Sequence, residues 1–384
     1  MSEIIKNRSE IVFLYDVTNA NPNGDPDENR PRMDDATEIN LVSDTRLKRT
    51  VRDYLKFKGK QRDDPRGFNI FVFPVPKEDG SGSIKTKGER VMDILEMHPE
   101  FKQDKGKKKS VDVEKLETYL KENYIDLRLF GATLALGNEA KVQDDEGSDQ
   151  ANDSQPQVEG ENVTANNKKE KTKKESIPNM KWIGPVQFKF GHSLHKVNPV
   201  LLKGTTVESS GVGKSTGTFT EFWYVPYSLL AFSGIVNEVS ALDTNLTDSD
   251  VSELLDALWN GTKGLITRSK VGQVPRFLMQ VVYKGHFHIG NLDNTLFITD
   301  PEGKRIERLE DGGKSLRSIY GIRIDFTNTL ACLNDEIDRI QEIKMAVDNN
   351  TLFFVDGKEV KGSALVGALR EKLAGKVVVT PLSP

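Results

Sequence analysis

Between Ile11 and Phe57 the chain switches period, and that switch restricts the folds open to it more than any other stretch. IVFLYDV, residues 11–17, is an unbroken run of β-branched and aromatic residues and reads as a strand. Asn19, Asn21, Pro22, Asn23, Gly24 and Pro26 follow and favour turns, so the strand is expected to end near Thr18. From Ser43 the apolar residues Leu47, Val51, Tyr54 and Leu55 recur at helical spacing, with Ser43 or Asp44 placed to cap the first turn. Thr45, Lys48, Arg49, Arg52 and Lys56 then occupy the opposite face as a cationic ridge.

A basic helix face is ordinarily just solvated. Here the loop before it argues for more. In a strand-loop-helix unit the loop and the helix start share one end of the sheet, which brings the amides of Asn19, Asn21 and Asn23, with Arg30 and Arg32, towards the ridge. Many donors with few apolar atoms suit a polyanion held by its phosphates and sugars.

Composition narrows the classes. The 384 residues allow one large domain or two ordinary ones, and the net charge of −4 means that affinity for a polyanion must come from local clustering. Cys332 is the only cysteine, which excludes an internal disulfide and a cysteine-rich metal site. No apolar run approaches the roughly 18 residues of a membrane span, and the charged start MSEIIKNRSE is no secretory signal, so a cytoplasmic protein is expected.

Further along, residues 67–76 read as a second strand, 89–97 and 111–124 as helices of an insertion spanning about 88–123, and 124–136 as a strand. Residues 141–176 are rich in acids and then lysines with hardly any apolar residue, the composition of a disordered insertion bounded at 138–178. Strands are expected at 182–197, 218–227, 277–283, 286–298, 319–326 and 375–380, and helices at 228–240, 248–259, 333–346 and 363–373. The mixture without a βαβ rhythm predicts an α+β fold.

GVGKST, 211–216, imitates a phosphate-binding loop, but Glu208 stands where that loop needs glycine. TRSKVGQVPR, 267–276, gathers Arg268, Lys270, Gln273 and Arg276 just ahead of a strand, a set suited to clamping a phosphate backbone. His192 with His195 and His286 with His288 lack a third ligand at usable spacing, so no metal and no cofactor are expected. Asp34 and Asp35 are adjacent loop carboxylates, ordinarily solvated.

DVTNANPNGDPDENRPRMD followed by LVSDTRLKRTVRDYL closely resembles the N-terminal signature of the backbone, crRNA-binding subunit of type I CRISPR Cascade effector complexes, in a subtype I-B-like branch of the repeat-associated RNA-binding superfamily. YIDLRLFGA (124–132), GPVQFKFGHSLHKV (184–197), GTFTEFWYVPYSLLAFSGIVN (217–237) and LWNGTKGLITRSKVGQVPRFL (258–278) also look like that branch. The resemblance implies a modified RNA-recognition-motif (ferredoxin-like) palm with a helical insertion and a thumb-like β-hairpin. Residues 1–137 would begin the palm and 179–384 would supply the thumb, the rest of the palm and C-terminal elements. The thumb is either 182–206 or the 205–218 tip.

The implied function is a non-catalytic subunit that oligomerises along guide RNA and presents it for pairing with target DNA. Its partners would be guide RNA, target DNA through the guide, copies of itself and other Cascade subunits, with no membrane. Carried over by motif, the RNA-binding positions are Asn19, Asn21, Asn23, Ser43, Thr45, Lys48 and Arg52, with Arg268, Lys270, Gln273 and Arg276 a weaker match. Arg30, Arg32, Arg46 and Arg49 complete the candidates on the loop and helix. Related type III backbone subunits cleave RNA with an aspartate in a similar loop, so an endoribonuclease using Asp34 or Asp35 is the alternative.

Overall fold

The computed structural model describes residues 3–61, 69–105, 108–134, 179–205 and 219–382. The expected 138–178 insertion, the GVGKST tip and the first two residues of the expected 67–76 strand lie outside the described residues. In chain order the elements are β1 Ser9–Ala20, β2 Met33–Asp34, β3 Ile39–Val42, α1 Asp44–Gln61, α2 Lys87–Met97, β4 Lys102–Lys105, β5 Lys108–Val111, α3 Val113–Asn123, α4 Ile125–Phe130 and β6 Gly131–Leu134. Then come β7 Met180–Ile183, β8 Val186–Phe188, β9 Gly191–Lys196, β10 Val200–Thr205, β11 Phe219–Val236, α5 Glu238–Thr244, α6 Asp248–Asp256 and β12 Gln273–Tyr283. β13 Phe297–Thr299, β14 Arg323–Asp325, α7 Thr327–Asp335, β15 Ile340–Val347, β16 Leu352–Val355, β17 Lys358–Lys361, α8 Gly362–Lys372 and β18 Val378–Pro381 close the chain. This is the α+β mixture expected from the pattern.

Two compact units divide these elements. The larger comprises Met1–Phe73, Leu120–Ala132 and Trp182–Pro384, and is built on a sheet of order β18-β15-β12-β1-β11-β9-β3-β2, with β8 and β10 also pairing β11. β1 lies inside it, antiparallel to both β11 and β12. Being buried on both faces, β1 reads as continuously apolar. Its odd residues Ile11, Phe13, Tyr15 and Val17 enter one core, together with Leu47, Val51 and Leu55 of α1 and Val251, Leu254 and Leu255 of α6. Its even residues Val12 and Leu14 enter a second core, built with Ile298, Ile324, Phe326, Leu330, Phe353 and Leu365. Burying each of the α1 leucines contributes roughly 1.5–3 kcal/mol.

The β13-β14-β16-β17 sheet, α7 and α8 supply that second layer, so both faces of the main sheet are covered by the chain itself. Taken alone, β1, α1, β9, β11, α6 and β12 put four strands in the order β12-β1-β11-β9, with α1 and α6 on one face. The smaller unit, Pro74–Tyr119 and Thr133–Lys181, holds α2, whose Thr86–Glu89 capping box starts it, the β4–β5 ladder and an aromatic cluster of His98, Phe101 and Tyr119.

Several sequence expectations are overturned. Residues 125–130 are helical, not extended: α4 buries every residue, with Asp126 accepting from the Phe71 and Val72 amides and Arg128 donating to the carbonyls of Lys121 and Glu122. Those amides serve Asp126 instead of a ladder, and residues 69–76 form no strand. Residues 228–236 belong to β11, not to a helix, because Leu230 and Phe232 face one core while Leu229 and Ala231 face the other. The expected helix 333–346 ends at Asp335, and Ile340–Val347 is a strand between β12 and β18. The expected strands 286–298 and 319–326 shrink to β13 and β14 among short 3-10 turns.

Candidate nucleic-acid interface

β1 runs to Ala20, two residues past Thr18, and Asn19 then takes φ +50°, a conformation that asparagine tolerates. Asn21 is buried and its N–H donates to Ser269 O at 2.9 Å, tying the loop to residues 267–272. Gly272 lets the two come together: its φ is +98°, and a Cβ there would sit 3.1 Å from Thr18 O. Asn23 Oδ1 accepts from both Ser43 N (2.9 Å) and Ser43 Oγ (3.0 Å), and Ser43 Oγ accepts from Arg46 N at 3.2 Å. Ser43 is therefore the helix cap, held in turn by the loop.

The expected ridge divides once partners are counted. Arg52 is 12 % exposed and donates from Nε to the fully buried Asp126 at 3.1 Å. Lys48 is bound to Asp44 (2.9 Å) and Gln187 (3.3 Å), and Arg49 to Asp53 (2.8 Å). Arg276 bridges Asp16 and Asp348, each at 2.9 Å, inside the sheet. Lys48 and Arg52, the expected phosphate contacts of the ridge, each have a carboxylate partner in the fold. Thr45 is exposed.

Arg46 and Lys270 differ. Both are half-buried, and among the described residues neither has a carboxylate within ion-pair distance. Among the described residues Lys270 Nζ donates only to the carbonyl of Asn21. Burial, and then the charge of Arg46, push the Lys270 ammonium down to about 8, while burial lowers Arg46 from its ordinary value. Gln273, paired with Val17, is buried with an Nε2 that has no partner, and Asn21 Oδ1 is likewise unsatisfied. The loop end thus holds two half-buried cations without an ion-pair carboxylate, together with the unsatisfied amides of Asn21 and Gln273.

Around it, Arg30 lies 5.7 Å from the Trp223 ring centroid and Arg268 lies 5.5 Å from that of Phe222. Both rings belong to a two-stranded arm in which β10 pairs the first part of β11, from Val200↔Tyr224 to Thr205↔Phe219. Arg32 is exposed, and a groove of about 260 Å³ whose lining includes Arg30, Arg32, Ser43 and Phe190 but also the carboxylates of Asp25 and Asp35 opens beside the helix start. Sequence reasoning named none of Phe190, Phe222 and Trp223, although the aromatic run FWYVPY was visible.

The carboxylates of the alternative reading are occupied otherwise. Asp34 accepts from Thr37 Oγ1 (2.7 Å) and Ala36 N (3.1 Å), which hold it below the usual carboxylate range, and so braces the β2–β3 turn. Asp35 is exposed, 3.7 Å from Arg30. Buried His195 is pushed down to about 4 and stays neutral, donating from Nδ1 to Lys196 O and accepting from Leu229 N at Nε2. Among the described residues no three side chains gather as a metal site, and no helix is long and apolar enough to cross a membrane.

The family model of CRISPR-associated protein Cas7 matches residues 7–327. The chain belongs to the Cas7 family. A CRISPR-associated protein Cas7 of Haloferax volcanii is 32% identical over 375 residues, 95% of this chain and 94% of that one. Two solved structures also align: a "CRISPR RNA-guided surveillance complex, pre-nicking" with TM-score 0.47 at 11% identity over 95% of this chain and 100% of that one, and a "CRISPR RNA-guided surveillance complex" with TM-score 0.43 at 12% identity over 90% of each. The Cas7 match runs from before β1 to the start of α7 and so includes Arg46, Lys270 and the arm.

Proposed function

We propose that this Cas7-family chain is a non-catalytic RNA-binding subunit that oligomerises along CRISPR guide RNA and presents it for pairing with target DNA, beside other subunits of a type I-B-like complex in the cytoplasm. The observation that carries the reading is that Arg46 and Lys270 at the loop end are half-buried with no carboxylate within ion-pair distance among the described residues: such charges are costly to withdraw from water, and a phosphate offsets the cost. Asn19, Asn23, Thr45, Arg30, Arg32 and Arg268 extend the track on either side. The strand order β12-β1-β11-β9 supports a modified RNA-recognition-motif palm, and the β10–β11 arm suits the thumb. With both sheet faces covered, RNA is gripped at the loop end, where contacts to phosphate and ribose leave base edges free.

The test is a gel-shift titration of labelled RNAs of unrelated sequence against the wild type and the Arg46→Ala/Lys270→Ala double variant. The expected outcome is a loss of affinity alike for all sequences, with the slope of log affinity against log salt flatter by about 0.7 per lost phosphate contact. An unchanged slope in a folded double variant overturns Arg46 and Lys270 as phosphate contacts. Cleavage of the RNA, abolished by Asp34→Ala or Asp35→Ala, overturns the non-catalytic reading.

A further inference from the structure

Asn23 stands directly before Gly24, and its side chain is held against that residue. Asn23 Oδ1 accepts from Ser43 N at 2.9 Å and Ser43 Oγ at 3.0 Å, while its Nδ2 donates to Gly24 O at 3.1 Å. Across the loop, Arg32 N donates to Asn23 O and Asp25 N to Arg30 O, so the bridged residues Gly24 and Pro31 between them exchange no ladder bond. The Gly24 N–H therefore points away from the bridge, and among the described residues no acceptor meets it. A Cβ at 24 would lie 1.9 Å from Asn29 Oδ1 and 3.1 Å from Asn29 O, so a side chain that could shield this amide is not accommodated. Gly24 is only half-buried and Ser43 lines the adjoining groove of about 260 Å³, which gives water a way in. A free amide nitrogen, a carboxamide carbon one residue before it and two donors on that carboxamide's oxygen are the parts of an intramolecular acyl transfer, with the donors placed where negative charge develops.

We propose that Asn23–Gly24 is a self-modification site, at which the chain converts Asn23 to aspartate or isoaspartate, and that the conversion weakens the grip of this loop on polyanions. The second half rests on the RNA reading above. In the step, Gly24 N gives its proton to hydroxide and attacks Asn23 Cγ. The N–C bond forms, and the oxyanion at Oδ1 is met by the Ser43 N–H and Oγ–H. The Cγ–Nδ2 bond then breaks, the nitrogen leaves with the bonding pair, and with a proton from water it becomes ammonia; a succinimide remains. Water opens that ring at either carbonyl, so the sum is water consumed, ammonia released and a carboxylate left where a neutral amide stood. No oxidant, reductant or further reactant is needed. The new negative charge lies at the start of α1, beside the groove that Arg30 and Arg32 line.

The full chain is aged in mildly alkaline buffer, with and without urea, and mass spectrometry follows deamidation and isoaspartate at Asn23 and at Asn260, which also precedes a glycine. Asn260 is the internal control: Gly261 lies in the helical segment Ala257–Gly261, and Asn260 Nδ2 donates to Asp256 at 2.7 Å. In urea the two sites should react at similar rates, set by the shared dipeptide. Folding is expected to slow Asn260 and to speed Asn23 by about tenfold or more, as held donors do at a developing oxyanion. Ser43→Ala, which removes one donor, should slow Asn23 about tenfold, and Ser43→Thr, which keeps the hydroxyl, should restore the rate. A slow Asn260 checks that each variant is folded. An Asn23 rate in the folded chain no greater than that in urea overturns the site. The aged chain, separated by its charge, and Asn23→Asp should both bind RNA more weakly than the fresh chain, alike for all sequences. Equal binding by fresh and aged chains overturns the weakening while the site stands; a fresh chain that binds no RNA overturns the RNA reading, and the Asn23 rates still decide the site.

Discussion

Arg52 and Arg46 leave the same helix one and a half turns apart, carry the same charge and are both largely withdrawn from water, yet they serve different ends. Arg52 meets Asp126, a carboxylate with no exposure that also accepts two backbone amides, so its charge is compensated and the contact joins α1 to α4 and to residues 71 and 72. Arg46 has no carboxylate within ion-pair distance among the described residues, and Asp53, which acts on it from farther off, is itself paired with Arg49, so Arg46 stays open to an anion. Cationic character alone does not mark a binding residue. A half-buried cation whose partner is internal belongs to the framework, and one without a partner is available to a ligand.

The largest effect should follow from Arg52→Ala. It strands the Asp126 charge, at a cost of about 3–5 kcal/mol in urea unfolding, while the salt slope of RNA binding in the folded fraction stays that of the wild type. A loss under about 1 kcal/mol with a flatter salt slope would make Arg52 a ligand contact and erase the contrast. Next in size is Leu47→Ala in the stripe between them, about 2–5 kcal/mol of stability, since Leu47 is buried in the helix-side core.

Arg46→Ala/Lys270→Ala should do the reverse of Arg52→Ala. Unfolding free energy holds or rises while RNA affinity falls, because a repulsion is removed along with the phosphate site. A destabilised double variant would show that the two side chains brace the loop.

The pH dependence has a definite sign. Lys270 titrates at about 8 in the folded chain and near 10.4 when unfolded, so between those values the unfolded state binds more protons, and the Lys270 contribution to stability rises with pH across that window. Tyr15, whose charge acts on Arg46, is driven well above that window by burial, and the other charges acting on Arg46 are Asp53 and Arg49. Unfolding curves on either side of about pH 9 should show the rise in the wild type and not in Lys270→Ala. RNA affinity should run the other way and weaken as the ammonium is lost. The smallest effect is expected from Arg49→Ala, whose exposed pair with Asp53 is worth about 0.3–0.5 kcal/mol. A larger loss would put Arg49 with Arg52.

Much of this was legible in the chain. The stripe of α1, the Ser43 cap and the Thr247 capping box of α6 are set within a few residues of one another, so periodicity and residue type suffice to find them. The blocks that place the chain in its family are also local strings. What misled were apolar runs buried all round, since residues 125–130 and 228–236 show the same composition whether coiled or extended; Asp126 and Arg128 settle the first, and the two cores flanking β11 settle the second.

The presence of a basic ridge beside an amide-rich loop followed from residues 11–57 alone, because strand, loop and helix are neighbours along the chain. Lys48 and Arg49 pair with Asp44 and Asp53 within that stretch, but that Arg52 is taken did not follow from it, because Asp126 lies 74 residues away, just as Lys270 meets the Asn21 carbonyl across 249. Coulomb energy depends on separation in space and on burial, and neither is set until the sheet has brought those distant segments together.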